Sequence, residues 1–230
     1  MKERIVVIIP AFNEENAVGN VVRDIPKELV DEIVVVNNNS TDKTSDAAKK
    51  EGATVLFEKN KGYGNACLKG IHYLIHERKE PTDIVVFIDA DYSDYPEEMK
   101  ELVAPILANE KDFVVGSRAL GNREAGSMTF PQRFGNWLAT GLMKIFFKAD
   151  FTDLGPFRAI RFESLVLLNM VDQTYGWTVE MQVKAVKQNL RYCEVPVNYR
   201  NRIGFSKISG TVKGTILAGY KIITTLFKYL

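Results

Sequence analysis

The chain has 230 residues, 46% of them apolar, and a formal net charge of +1. That length fits one domain with a sizeable core, the near-zero charge offers no bulk attraction to nucleic acid, and two cysteines are too few for a disulfide framework. No apolar run approaches the ~18 residues of a membrane span, and Met1-Lys2-Glu3-Arg4 carries no signal-peptide pattern, so a reducing, cytoplasmic setting is expected.

Residues 5–9, all Ile or Val, predict a buried strand stopped by Pro10. Asn13-Glu14-Glu15-Asn16 predicts the start of a helix reaching about Pro26, with acidic residues in its first turn. Residues 32–36 predict a second strand. The polar turn Asn37-Asn38-Asn39-Ser40-Thr41-Asp42 then leads into a helix that ends at about Glu51, before Gly52. A third strand is expected over 53–57, a helix from Lys61-Gly62-Tyr63-Gly64-Asn65-Ala66 to about Arg78, and a fourth strand over 83–88. Pro96 opens another helix, and a fifth strand over 112–115 ends in Gly116-Ser117-Arg118. This alternation predicts an α/β, Rossmann-like fold with a mostly parallel central sheet flanked by helices.

Asp89 and Asp91 follow the fourth strand directly. Ionised carboxylates at the end of a buried strand are costly unless their charge is compensated, and Mg2+ typically takes one or two carboxylates plus substrate phosphates. A metal–phosphate site is therefore expected at the carboxyl end of a central strand, where open α/β sheets place their ligands. The first strand–helix turn, Pro10-Ala11-Phe12-Asn13-Glu14, lacks the G-x-G-x-x-G of a dinucleotide site, which argues against an NAD enzyme. A nucleotide laid across the strand ends would instead meet Asn13 and Glu14 at its ribose or base. Asn38 would face a base edge, and the Gly62–Gly64 turn would let the backbone come close to the ligand.

The pattern changes after Arg118. Residues 120–131 form a glycine-containing, charged loop with Arg123, suited to a lid. A strongly apolar helix follows from Gln132-Arg133 to about Lys148, carrying Trp137, Leu138, Leu142, Ile145, Phe146 and Phe147. That helix is either core or a surface for a lipid chain. Tyr175-Gly176-Trp177-Thr178-Val179-Glu180 reads as a turn opening a helix, and 191–197 as a late strand. Arg200, Arg202, Ser206 and Lys207 share a loop with Gly204, a cationic, glycine-hinged segment suited to closing over a diphosphate. In residues 210–230, Val212, Ile216, Tyr220, Ile223, Phe227 and Leu230 fall near one helical face. This amphipathic helix would dock on the domain, pair with another subunit or lie in a membrane interface. His72 and His76 stand four apart on a helix, but nothing nearby completes a zinc set.

The segments Val7-Ile8-Ile9-Pro10-Ala11-Phe12-Asn13-Glu14, Val35-Val36-Asn37-Asn38-Asn39-Ser40-Thr41-Asp42-Lys43-Thr44, Lys61-Gly62-Tyr63-Gly64-Asn65-Ala66 and Asp89-Ala90-Asp91 resemble family 2 glycosyltransferases of the GT-A fold. Gly116-Ser117-Arg118, Asp153-Leu154-Gly155-Pro156-Phe157-Arg158 and Arg202-Ile203-Gly204-Phe205-Ser206-Lys207 extend the resemblance along nearly the whole chain. They narrow it to the dolichyl-phosphate mannosyltransferase and polyprenyl-phosphate glucosyltransferase group.

The resemblance implies one GT-A domain over 1–230. Residues 1–118 would form a nucleotide-sugar half, 119–209 an acceptor-side half, and 210–230 the amphipathic helix. It implies a nucleotide-sugar site at Pro10, Ala11, Phe12, Glu14, Asn38, Gly64, Asp89, Ala90 and Asp91, with Mg2+ or Mn2+ on Asp89 and Asp91. It implies an acceptor phosphate at Arg118 and Arg133, with Asp153, Arg158 and Ser206 shaping that side, and Arg202 and Lys207 closing over the donor. Glu180 stands where a relative acting on hydroxyls would carry its base, and is expected to position rather than deprotonate.

The chain departs from the family in having Asn37-Asn38-Asn39-Ser40 where Asp-Asp-Gly-Ser is frequent, and Ser93 where the mannosyltransferases commonly have Gln. The implied reaction is inverting transfer of a hexose from GDP-mannose or UDP-glucose to a polyprenyl or dolichyl phosphate, with peripheral contact to the cytoplasmic membrane face or self-association through the last helix. The alternatives are a sugar or protein hydroxyl as acceptor, and a non-catalytic nucleotide-sugar-binding subunit.

Overall fold

The computed structural model describes residues 2–204 and 212–230. In chain order the elements are β1 (Ile5–Ala11), α1 (Val18–Asp24), β2 (Glu32–Asn37), α2 (Thr44–Lys50), β3 (Thr54–Phe57), α3 (Tyr63–His76), β4 (Ile84–Phe87), a 3-10 turn (Pro96–Glu98) running into α4 (Met99–Leu107), β5 (Phe113–Ser117), α5 (Phe130–Phe147), β6 (Arg158–Arg161), α6 (Phe162–Leu168), α7 (Trp177–Lys187), β7 (Tyr192–Pro196) and α8 (Val212–Lys228). Seven strands form one sheet in the order β3-β2-β1-β4-β6-β5-β7. Every pairing is parallel except those of β6, which runs antiparallel between β4 and β5.

Strand side chains alternate between faces, and two cores result. Val6, Ile8, Val34, Val36, Val85 and Phe87 pack with Cys67 and Leu74 of α3, Met143 of α5 and Trp177 of α7. Ile5, Val7, Ile9, Val35 and Val86 pack on the other face with Val21 of α1 and with Met99, Leu102 and Ile106 of α4. With both faces covered, the central strands β1 and β4 read as largely unbroken apolar runs. β1 lies between β2 and β4, so the winding direction reverses there and opens a crevice at the carboxyl ends of the strands.

Several elements differ from the sequence expectation. α1 begins at Val18 because residues 13–17 are tied to the turn before α2. The Asn13 carboxamide oxygen accepts from Thr41 N (2.8 Å), Glu14 N donates to Thr44 Oγ1 (2.8 Å) and the Glu15 carboxylate accepts from Lys43 N (2.9 Å). α5 starts at Phe130, where Thr129 and Gln132 cap each other reciprocally. β6 and α6 were not anticipated.

α8 docks on α7. Lys221 pairs with Asp172 (2.9 Å), and the Tyr229 hydroxyl donates to Glu180 (2.6 Å). The side turned inward is that of Ile222, Thr225 and Leu226. Ile216, Tyr220, Phe227 and Leu230 of the expected apolar face point outward, with Ile216 65% and Tyr220 69% exposed.

Candidate active site

Two chambers open along the crevice. The first, about 270 Å³, is lined by Pro10, Ala11, Phe12, Glu14, Asn38, Lys61, Gly62, Tyr63, Ala66, Asp89, Ala90, Asp91, Tyr175 and Arg202. The second, about 290 Å³, is walled by Arg118, Leu154, Pro156, Thr178 and Tyr199, by Gln132, Gly135 and Asn136 of α5, and by Ala218, Gly219 and Ile222 of α8. Tyr63, Asp89, Asp91, Tyr175 and Arg202 line both, so the chambers meet at the two carboxylates.

The strand register delivers these groups. Ile8 of β1 pairs with Phe87 of β4, so Pro10 and Asp89 leave the sheet side by side. Asn38 N donates to Ala11 O (2.8 Å), which places the β2 turn against the same opening. Tyr92, just past Asp91, adopts φ 63°, an unfavourable conformation for an aromatic residue. It is held by the Arg200 guanidinium, 3.4 Å above its ring, and by Arg200 Nε donating to its carbonyl (2.7 Å).

The carboxylate pair fits a divalent cation. Asp89 Oδ1 is buried and has no hydrogen-bond partner among the described residues. Burial and then the charge of Asp91 push the Asp89 carboxyl up to about 7. Asp91 Oδ1 accepts from Ser93 N (3.0 Å) and from its hydroxyl, while Oδ2 faces Arg202 Nη1 at 3.0 Å. Arg202 Nη2 donates to Glu14 Oε1 (2.8 Å). Among the described residues no group of three or more His, Cys, Asp or Glu side chains is placed to hold a metal ion.

The other expected residues divide into three groups. Pro10, Ala11, Phe12, Glu14 and Ala90 line the first chamber, and the Lys61 ammonium lies 4.7 Å from the Phe12 ring centroid. Asn38 also lines it, but its amide nitrogen donates to Glu58 O (3.3 Å) and Asn60 O (2.7 Å), and its oxygen accepts from Gly62 N (2.7 Å). It therefore shapes the wall more than it offers free donors to a base. Gly64 does not line the chamber. A Cβ there would stand 2.0 Å from Asp172 O, so this glycine admits the backbone of residues 172–173 and not a ligand.

On the second side, Arg118 reaches the chamber with its fork already taken. Nε and Nη2 each donate to Asp153 at 2.7 Å, leaving Nη1 as the edge that Asp153 does not hold. Burial works against the Arg118 charge, but the Asp153 carboxylate outweighs it and holds the guanidinium above its ordinary value. Asp153 is thus a buried partner of Arg118. Arg133 lines a separate hollow of about 430 Å³ with Arg123, Lys144 and the exposed Trp137. Asn136 borders both hollows, and the two arginines do not share one.

Two expectations are corrected. Arg158 is fully buried and donates to the carbonyls of Leu154, Gly155 and Thr178, so it organises the 154–157 loop and faces no acceptor. Burial brings its guanidinium down to about 10. Glu180 is likewise 0% exposed and lines neither chamber. It accepts from Val171 N, Asp172 N and the Tyr229 hydroxyl and pairs with Lys184 (2.7 Å), which makes it an anchor for α8 and the 171–172 backbone. Ser206 and Lys207 lie outside the described residues. Tyr63, Tyr175, Tyr199 and the α8 wall were not anticipated as lining residues. An aromatic beside a glycine, as in Tyr63-Gly64 and Tyr175-Gly176, was the available signal.

A model of the family described as Glycosyl transferase family 2 matches residues 6–167. The chain is 32% identical over 232 residues to an uncharacterized protein of Methanocaldococcus jannaschii, spanning 98% of this chain and 91% of that protein. It is 27% identical to the UDP-N-acetylglucosamine–dolichyl-phosphate N-acetylglucosaminyltransferase of Methanococcus voltae, spanning 96% of this chain and 94% of that one. Among solved structures, glucosyl-3-phosphoglycerate synthase from Mycobacterium tuberculosis, in complex with Mn2+, UDP and glucosyl-3-phosphoglycerate, matches with a TM-score of 0.77 at 23% identity, over 99% of this chain and 80% of that one.

Proposed function

This chain belongs to glycosyl transferase family 2 and is a glycosyltransferase of the GT-A fold; from that premise we propose that it moves a hexose from a nucleoside diphosphate sugar to a polyprenyl phosphate, with inversion. The observation that carries the reading is the meeting of two chambers at Asp89, Asp91 and Arg202. A donor in the first would place its diphosphate at that junction and its anomeric carbon toward the second.

An acceptor phosphate oxygen attacks the anomeric carbon, the bond to the diphosphate breaks, and a nucleoside diphosphate leaves. The second pKa of a phosphate monoester is near 6, so the acceptor is already a nucleophile at neutral pH and needs no protein base. The sealed position of Glu180 agrees with such an acceptor, because it removes Glu180 as a base for a hydroxyl. Mg2+ or Mn2+ held by Asp89 and Asp91 would supply positive charge to the departing diphosphate. Arg202 adds a guanidinium at the same place, and Arg118 Nη1 is the group we assign to the acceptor phosphate.

The lipid part of the reading rests on the surroundings of the second chamber. α5 and α8 wall it, and both carry outward apolar side chains: Phe130, Phe134, Trp137 and Ile145 on α5, Ile216, Leu217, Tyr220 and Phe227 on α8. Among the described residues no helix is long and apolar enough to cross a membrane, so contact would be peripheral. The dolichyl-phosphate substrate named for the M. voltae relative supports the same acceptor class. The test is transfer of labelled hexose from UDP-glucose, UDP-N-acetylglucosamine or GDP-mannose into an organic-extractable product with polyprenyl phosphate. Transfer to phosphoglycerate and not to lipid would replace this acceptor with a small soluble one.

A further inference from the structure

Arg202 bridges two of the three acidic groups, Glu14, Asp89 and Asp91, that line the first chamber. Nη1 lies 3.0 Å from Asp91 Oδ2 and Nη2 2.8 Å from Glu14 Oε1. Nε is buried and has no partner among the described residues. The backbone beside it is pinned: Ile203 N donates to Asp91 O (3.0 Å), and Arg200 N donates to Ser93 O (2.9 Å). Gly204 follows with φ +82°, and among the described residues nothing lies within 4 Å of where its Cβ would be. The guanidinium is thus held against one carboxylate of the Asp89–Asp91 pair, beside a backbone pinned by two hydrogen bonds.

Asp91 Oδ1 already accepts two hydrogen bonds from Ser93, so Oδ2 is the oxygen most open to a cation, and Arg202 has it. We propose that Arg202 is a resident counter-cation for Asp91, which makes metal and diphosphate bind together and not separately. This inference rests on the metal–diphosphate reading of the site given above.

A divalent ion arriving alone must compete with the guanidinium for Asp91 Oδ2 and would leave a second positive charge beside itself. With a diphosphate present, Arg202 can turn from Asp91 to the phosphoryl oxygens, where a planar fork binds well. The guanidinium then changes partner without losing one. Coupling of this kind is reciprocal, so the diphosphate also binds better with the metal present. The site would stay closed to stray divalent ions and respond to the metal–nucleotide complex.

The test is titration of the whole protein with Mn2+ alone, followed by paramagnetic resonance of the free ion, and the same titration with saturating UDP or GDP. Arg202→Gln should bind Mn2+ alone about tenfold more tightly than the wild type, the scale of one lost charge-assisted contact. It should also show a smaller gain in Mn2+ affinity when the nucleotide is added. The tightening should vanish in the double variant R202Q/D91N. Arg202→Lys, which keeps a cation but not the fork, serves as the second variant if R202Q does not fold, and should shift Mn2+ affinity the same way by a smaller factor.

Unchanged or weaker Mn2+ binding in folded R202Q, or in R202K, with Asp91-dependent binding intact in the wild type, overturns the inference and leaves the metal site standing. Mn2+ binding indifferent to Asp91→Asn in every background, with and without nucleotide, overturns the metal site itself and the inference with it.

Discussion

The Tyr229 hydroxyl donates to Glu180 Oε1 at 2.6 Å, joining the last turn of α8 to the first turn of α7. Two backbone amides, Val171 N and Asp172 N, converge on the same carboxylate. Glu180→Ala would leave those donors and Lys184 without their acceptor in a fully buried site. We expect a loss of about 3 kcal/mol in unfolding free energy, read by urea titration. Turnover per folded molecule at low temperature should stay within about threefold of wild type, because the carboxylate faces neither chamber. A variant with unaltered stability and abolished turnover would contradict this structural role and favour Glu180 as a base.

Asp153→Asn removes one end of the Arg118 fork and leaves a buried guanidinium poorly matched. Breaking a buried ion pair from one side costs about 3–5 kcal/mol. The expected outcome is a lower melting temperature together with a raised KM for the acceptor, while the KM for the nucleotide sugar changes little. Equal effects on both substrates would argue against Arg118 as an acceptor group.

Gly64→Ala tests the close approach of α3 to residues 172–173. A methyl group there would stand 2.0 Å from Asp172 O, so backbone must move. Overpacking of this kind costs about 1–3 kcal/mol. Because Tyr175 lines the donor-side chamber from the same loop, a weaker affinity for the nucleoside diphosphate should accompany the lower stability, read by calorimetry. Normal stability with normal affinity would contradict the packing argument.

Asp112 joins β5 to Arg191 at the start of β7, and the hydrogen bond from Arg191 holds its carboxyl below the ordinary carboxylate range. A depressed carboxyl stabilises the fold above its unfolded pKa of about 3.9 and loses that contribution as pH falls through the lower folded value. Arg191 is half exposed, so solvent screening holds the effect to about 1 kcal/mol or less. Asp112→Asn should therefore lower the melting temperature at pH 7, and the difference from wild type should shrink as pH falls below about 3.9. A difference independent of pH would show that the charge contributes nothing.

The sequence shows most where one residue type has one physical use. All-apolar runs such as 5–9 and 84–88 have no place except between two covered faces, and Asp89 and Asp91 at the end of one of them line the crevice at the strand ends. β6 escapes because its ends are Arg158 and Arg161. Arginine reads as surface, and only the three-dimensional path of residues 154–157 supplies the carbonyls that let Arg158 sit in the core. Glu180 escapes for a related reason: its partners, Val171, Asp172 and Tyr229, come from other elements, so no local pattern separates a structural carboxylate from a catalytic one.

α8 shows a third limit. Its periodicity marks an apolar face correctly, but not whether that face meets protein. Here the docking contacts are Ile222, Thr225, Leu226, Lys221 and Tyr229, and Ile216, Tyr220, Phe227 and Leu230 of the apolar stripe look outward. Arg118 and Arg133 look equivalent in sequence. They part because Asp153 binds one of them while the turns of α5 carry the other into a neighbouring hollow.

Anomalous scattering from a crystal soaked with MnCl2 and a nucleoside diphosphate tests the central claim most directly. The account predicts one manganese peak between the Asp89 and Asp91 carboxylates and the diphosphate, with the nucleoside against Phe12 and Asn38. Diphosphate density elsewhere, or a donor-side chamber holding nucleotide with no manganese at either aspartate, would contradict it.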